Sequence, residues 1–129
     1  MSRLEDFLAL PNVIDVVEEI YINKRLGTFK VKPMTNAQYN EYLSRCRGKF
    51  TKEGVNFDNG KYNVLVVSNH VIDPDFSNAE FLSKTGFTNA RDFINAKLKA
   101  GEIQDIAEKI AEISGIGGDI NEAIEEAKN

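Results

Sequence analysis

Residues 20–32 constrain the fold more than any other part of the sequence, because their pattern is typical of a β-hairpin. Ile20 and Ile22, and then Phe29 and Val31, alternate with other residues at the period of two expected for strands with one buried face. Residues 24–27 supply the turn and end in a glycine that can adopt a positive φ. Pro33 cannot donate a ladder hydrogen bond and therefore ends the second strand. The sequence predicts no strand after this hairpin.

A two-stranded hairpin is marginally stable alone and leaves backbone groups unpaired along both edges. Two interpretations follow. In the favoured one the hairpin packs on helices as part of the core. In the other, an exposed edge is a docking element for a partner, although Lys24, Lys30 and Lys32 are also suited to protecting that edge.

Apolar periodicity and capping signals predict a mainly α (small α+β) fold, with about five to six short helices and one N-terminal β-hairpin. We expect one domain over residues 1–129, with an N-terminal arm at 1–18 that is a candidate for mobility and a terminal helix at 119–129. Residues 47–60 read as a surface loop. The predicted helices span 2–10, capped by Ser2; 36–48, capped by Thr35 and ended near Gly48; 61–71; 78–84, capped by Ser77 and ended by Gly86; 89–98, capped by Thr88 and followed by an interruption at Gly101; and 102–113. The last of these carries an apolar stripe at helical spacing, made of Ile103, Ile106, Ala107, Ile110 and Ile113.

Composition narrows the function classes. The chain has 129 residues, a formal net charge of −4 and scattered Lys and Arg, which gives no basic stripe for nucleic acid. Its longest purely apolar run, residues 64–67, is far shorter than a membrane span, and no export signal is visible. The single cysteine is typical of a reducing compartment, so we expect a cytoplasmic protein without nucleic-acid or membrane partners.

The residues offer little chemistry. His70 is the only histidine and Cys46 the only cysteine, so neither has an obvious partner for a triad or a metal site. A structural or merely exposed histidine and an inert buried thiol are the favoured interpretations, and a small enzyme using either residue is a minor alternative. The glycines at 115, 117 and 118 read as a linker, and residues 73–80 as a turn and helix cap rather than a calcium loop. No cofactor or metal is predicted.

Several short motifs occur in a characteristic order along nearly the whole chain. They lie at 22–25, 29–35, 58–67, 71–76, 78–80, 101–102, 112–115 and 119–129. By the order and spacing of these motifs the sequence resembles the XkdN-like tail assembly chaperone family of phages and phage-like elements. One departure is Ala100, because the family commonly has a proline before the Gly-Glu pair.

The resemblance implies a non-enzymatic, transient assembly factor in the cytoplasm of a bacterial host. Such proteins are thought to bind the tape measure protein, keep it soluble, help tail tube subunits polymerise around it, and then leave the mature particle. A permanent structural component of the tail is the alternative, and the oligomeric state stays open. Residues on the hairpin and in nearby aromatic positions are the predicted partner contacts: Ile20, Tyr21, Ile22, Phe29, Val31, Phe76 and Phe81.

Overall fold

The hairpin forms, and it belongs to a three-stranded antiparallel sheet. The computed structural model describes residues 3–52 and 54–116, with β1 at Glu18–Asn23 and β2 at Gly27–Val31. Gly27 has a φ of 76°, as the turn requires. A later strand, β5 at Val71–Asp73, pairs with the free edge of β2. The prediction of no further strand is therefore wrong. The sequence does not reveal β5 because a strand of three residues is too short to show an alternating pattern.

Six α-helices lie in the described part of the chain, in agreement with the predicted mainly helical fold. A 3-10 turn at Val13–Asp15 separates the first helix from β1. The Ser2 cap and the helix expected at 119–129 fall outside the described residues. The helices are α1 at Arg3–Leu8, α2 at Asn36–Cys46, α3 at Asn59–His70, α4 at Ala79–Thr85, α5 at Ala90–Lys97 and α6 at Ala100–Ile113.

The expectation of a surface loop at 47–60 is also wrong. A second antiparallel hairpin occupies most of it, with β3 at Arg47–Thr51 and β4 at Gly54–Phe57, and α3 begins at its end. Gly48 does not end α2 but lies within β3, where a Cβ atom would sit 2.9 Å from the carbonyl oxygen of Asn56. The sequence of this hairpin is largely polar and therefore shows no alternating apolar pattern. The hairpin forms instead through backbone pairing and the close approach of the two strands at Gly48.

The capping residues follow the predicted chemistry with two shifts of one position. Thr35 forms the expected capping box with Gln38, with bonds of 3.1 and 2.9 Å. The caps of α4 and α5 are Asn78 and Asn89, rather than Ser77 and Thr88, and each accepts a bond from the backbone amide three residues later. Two capping residues stand side by side at both places, and the sequence pattern does not choose between them. Gly101 lies in the first turn of α6 and does not interrupt the helical structure.

The core lies where α3 and α6 pack together and meet the sheet. α3 also contacts α2 and α5. The apolar stripe predicted for residues 102–113 is buried except at Ile113, which is half-buried. Around Phe93 on α5 pack three aromatic rings, one from the segment before α4, one from α4 and one from the segment between α4 and α5: Phe76, Phe81 and Phe87. The fully buried large side chains are Val31, Val66, Val67, Ile94, Ile106 and Ile110.

Candidate partner-binding surface

The seven predicted partner contacts do not form one surface. Tyr21 and Phe81 are exposed, and Ile20 is half-buried against the core. A partner can reach the first two in this conformation, while the buried members stabilise the fold. Whether any of the seven contacts a partner stays a prediction. The four buried members are Ile22, Phe29, Val31 and Phe76.

The two edges of the hairpin contact different elements of the fold. The edge of β2 is occupied by β5, with Val31 opposite Val71. At the outer edge of β1, the Nζ atom of Lys109 on α6 donates a 2.7 Å hydrogen bond to the carbonyl oxygen of Tyr21, and it also lies 3.2 Å from Asp105. The edge of β2 is thus paired with another strand, whereas at the edge of β1 a lysine side chain satisfies one carbonyl group.

A buried carboxylate fixes the hairpin turn to the start of α6. Glu102 is 6% exposed and accepts hydrogen bonds from Asn23 Nδ2 at 2.9 Å, from Arg25 Nε at 3.0 Å and from the Lys99 amide at 2.8 Å. A second guanidinium nitrogen of Arg25 also pairs with it. The bonds from Arg25 and Asn23 lower the pKa of Glu102 to about 2, so the carboxylate is charged at neutral pH.

His70 is a core residue. Its Nδ1 lies 3.1 Å from the carbonyl oxygen of Lys32, and its Nε2 lies 2.8 Å from the hydroxyl of Tyr42. A carbonyl can only accept, so Nδ1 carries the proton and Nε2 accepts from the tyrosine hydroxyl. Burial lowers the pKa of His70, which keeps the ring neutral. The histidine joins α2, α3 and the end of β2, so of the structural and the exposed interpretations the structure supports the structural one.

Cys46 is also buried, at the end of α2. Burial raises the pKa of its thiol, which disfavours the nucleophilic thiolate. Within residues 3–52 and 54–116, no cluster of three or more His, Cys, Asp or Glu side chains could hold a metal ion. In the same range, no helix has the length and apolar character needed to cross a bilayer.

The most exposed apolar residues lie before the hairpin, in a segment that we call the apolar arm, residues 3–17. None of its residues is buried. Leu8 and Leu4 are 86% and 78% exposed. Of the ten exposed large apolar residues in the described chain, seven lie here, which makes the arm the main apolar surface. These seven are Leu4, Phe7, Leu8, Leu10, Val13, Ile14 and Val17.

The arm has local backbone structure. Hydrogen bonds connect the amides of Leu10, Asp15 and Val16 to carbonyl groups three residues earlier. α1 has six residues, and helices of that length are marginal in water without packing. The arm therefore displays apolar side chains on a backbone that its own interactions hold weakly.

The same region carries a local excess of negative charge. Between residues 3 and 19 lie five of the 20 acidic residues but only one of the 16 basic residues, which leaves fifteen of each in the rest of the sequence. Arg3 is the basic residue, and it lies 3.9 Å from Asp6 in an exposed pair. The arm and the first residues of β1 thus form a segment that is both apolar and acidic.

The sequence-based prediction missed this surface, although a signal for it exists. Leu4, Phe7 and Leu8 stand at the i, i+3 and i+4 spacing of an apolar helix face. Such a face normally indicates burial against the same chain. What the spacing does not reveal is that this face has no covering element among the described residues, and only the structure supplies that fact.

Comparison with known families decides the class of the protein. The family model of the phage XkdN-like tail assembly chaperone proteins matches residues 4–128. The chain belongs to this family. The match confirms the resemblance found in the sequence motifs. The family is one of phage tail assembly chaperones, so a phage tail assembly role is assigned to the chain. No curated protein and no solved structure matches it.

Proposed function

We propose that this tail assembly chaperone binds the tape measure protein transiently, keeps it soluble and assists polymerisation of the tail tube around it. Family membership over residues 4–128 is the observation that carries the proposal. The proposed place of action is the host cytoplasm, and the protein is expected to be absent from the mature particle. The tail tube protein is a further proposed partner.

The exposed apolar arm supports this role. A protein that keeps aggregation-prone apolar segments soluble needs apolar surface of its own that is accessible before the partner arrives. Leu8 and Phe7 provide such surface at 86% and 58% exposure, and Tyr21 continues it onto β1 at 59% exposure. Contacts made by a few exposed side chains can also be exchanged, as release of the partner to the growing tube requires.

Co-expression with the tape measure protein encoded in the same genome tests the proposal. We expect the chain to increase the soluble fraction of that protein and to co-purify with it. Co-expression of an unrelated acidic protein of similar size is the control. Unchanged solubility together with no co-purification would refute the proposed function.

A permanent structural component of the tail is the second candidate. The same exposed apolar residues favour it, because a surface of this kind can equally be covered for good in an assembled particle. Quantitative mass spectrometry of purified particles separates the two roles. The chaperone role predicts loss of the chain from finished particles, whereas retention in fixed proportion to the tube protein would support the structural role.

A further inference from the structure

We propose that the apolar arm is the segment that captures the partner, and that it recognises an apolar stretch flanked by Lys or Arg. This inference rests on the proposed function, since it names the chemistry of the tape measure segment that is bound. It differs from the sequence-based site, whose members are largely buried.

Exposure and position support the arm as the contact. The arm holds seven of the ten exposed large apolar residues and none of its residues is buried, so a partner can cover it without opening the core. Its chain runs directly into β1, which is fixed to α6 by the hydrogen bonds from Asn23 to Glu102 and from Lys109 to the carbonyl oxygen of Tyr21. A bound segment would therefore be held at one place relative to the folded body.

Charge selects the kind of partner. Acidic residues interrupt the arm at Glu5, Asp6 and Asp15, and Glu18 and Glu19 follow it. An apolar segment with acidic flanks would suffer repulsion along this surface, whereas one with basic flanks would be attracted. Residues 102–128 also hold eight acidic and two basic residues, so charge variants are needed to locate the attraction in the arm.

Two designed peptides probe this chemistry without relying on the tape measure protein. One is an amphipathic 18-residue peptide of Leu and Lys, and the other is the same pattern of Leu and Glu. The complete chain is expected to bind the first more tightly, and raising the salt from about 0.05 to about 0.5 M should weaken that binding because exposed charges are screened. Equal binding of both peptides would overturn the proposal.

A charge variant locates the attraction. Glu5→Gln, Asp6→Asn and Asp15→Asn together should weaken Leu/Lys peptide binding by roughly 3- to 100-fold, since each exposed pair contributes only a small factor. The change should leave the thermal midpoint nearly constant, because none of the three side chains is buried.

The matched control removes the same charge elsewhere. Glu41→Gln, Glu80→Gln and Glu112→Gln alter three exposed acids on α2, α4 and α6. This control is expected to bind as the unaltered chain does. A loss as large as that of the arm variant would show a general charge effect and would overturn the proposal.

An apolar variant locates the contact itself. Phe7→Ser, Leu8→Ser and Ile14→Ser should reduce binding by more than about 100-fold, because three large side chains no longer become buried in the complex. Its control is Ile72→Ser with Phe81→Ser, which removes apolar surface outside the arm. Because the Phe81 ring also packs on Phe93 with centroids 5.0 Å apart, circular dichroism and the thermal midpoint must show that the control is folded at the assay temperature. Loss of binding in the control with retention in the arm variant would assign the contact to the surface around Phe81 and reject the arm.

The same variants separate this inference from the proposed function. If the unaltered chain co-purifies with the tape measure protein and both arm variants do so equally well, the arm inference fails and the function stands. If the unaltered chain fails to co-purify while the peptide results hold, the tape measure partner is wrong and the recognition chemistry stands. Sedimentation velocity covers a third case, since a dimer that the arm variants dissociate would mean that a second copy occupies the arm.

Discussion

The hydrogen bond between Tyr42 and His70 gives the sharpest prediction about the core. Replacement of Tyr42 by Phe keeps the ring, which packs edge-on against the imidazole with centroids 5.6 Å apart, and removes only the hydroxyl. Nε2 of His70 then loses the donor at 2.8 Å. Both side chains are buried, so water cannot readily replace that donor.

The cost follows from the unmade bond. Leaving one buried acceptor unsatisfied costs about 1–3 kcal/mol, while deletion of one oxygen atom adds little cavity. We therefore expect Tyr42→Phe to lower the free energy of unfolding by about 1–3 kcal/mol, measured by urea denaturation at pH 7.5 with circular dichroism. Tyr39→Phe is the matched control, because Tyr39 lies on the same helix and is only half-buried. It should change the free energy by less than about 0.5 kcal/mol.

Two results would refute this reasoning. Equal losses for Tyr42→Phe and Tyr39→Phe would mean that the hydroxyl bond to His70 has no special value. Nitrogen NMR tests the tautomer directly, and a proton on Nε2 rather than Nδ1 would contradict the assigned direction of both bonds. Since the pKa of His70 is lowered, the unfolded chain takes up its proton first, and its contribution to stability should fall as the pH drops below about 6.5.

Three further predictions concern stability. The pKa of Glu102 in the folded protein is lowered to about 2, so its contribution to stability is present above about pH 4.5 and is lost towards pH 2. The urea midpoint should fall across that window, and Glu102→Gln should flatten this pH dependence. Identical pH profiles for the two proteins would contradict the prediction. Ile106→Ala, at a fully buried site, should cost about 2–5 kcal/mol in urea denaturation, and half-buried Ile113→Ala should cost less; the reverse order would be inconsistent with this packing. Gly86→Ala should destabilise the protein by about 1–2 kcal/mol because φ at this position is 83°. Gly101→Ala, at a helical position with open space around it, should stabilise the protein by about 0.4–1 kcal/mol. Changes of the same sign for both variants in thermal denaturation would refute this contrast.

The elements that could be predicted are those with local signals. The alternation around Ile20 and Phe29, the capping box at Thr35 and the isoleucine stripe through Ile106 each specify an element within a few residues of sequence. β5 could not be predicted, since its three residues become a strand only by pairing with β2 about 40 residues earlier. The hairpin of β3 and β4 was hidden for a similar reason, because backbone pairing builds it from largely polar sequence.

The candidate site was less predictable than the fold. Alternation in β1 and β2 indicates that one face is buried, and it does not say whether the cover is the same chain or a partner. Ile22, Phe29 and Val31, which we predict as partner contacts, are covered by the protein itself in this conformation, and their contact with a partner stays a prediction. The apolar arm shows the reverse. The spacing of Leu4 and Phe7 is that of a helix face that normally becomes buried, yet both side chains are exposed. Burial depends on the whole fold, which a local pattern does not contain.

The absence of buried residues in the arm also affects how proteins with this fold can diverge. A substitution at Ile106 or Val66 is limited by packing, whereas one at Leu4 or Leu8 changes no core contact and leaves stability nearly constant. Mutations in the arm can therefore accumulate without loss of the folded protein. If the arm is the contact, its sequence is free to change in step with that of the partner. A comparison across related phages should then find rapid, partner-matched change before β1 and slow change in α3 and α6.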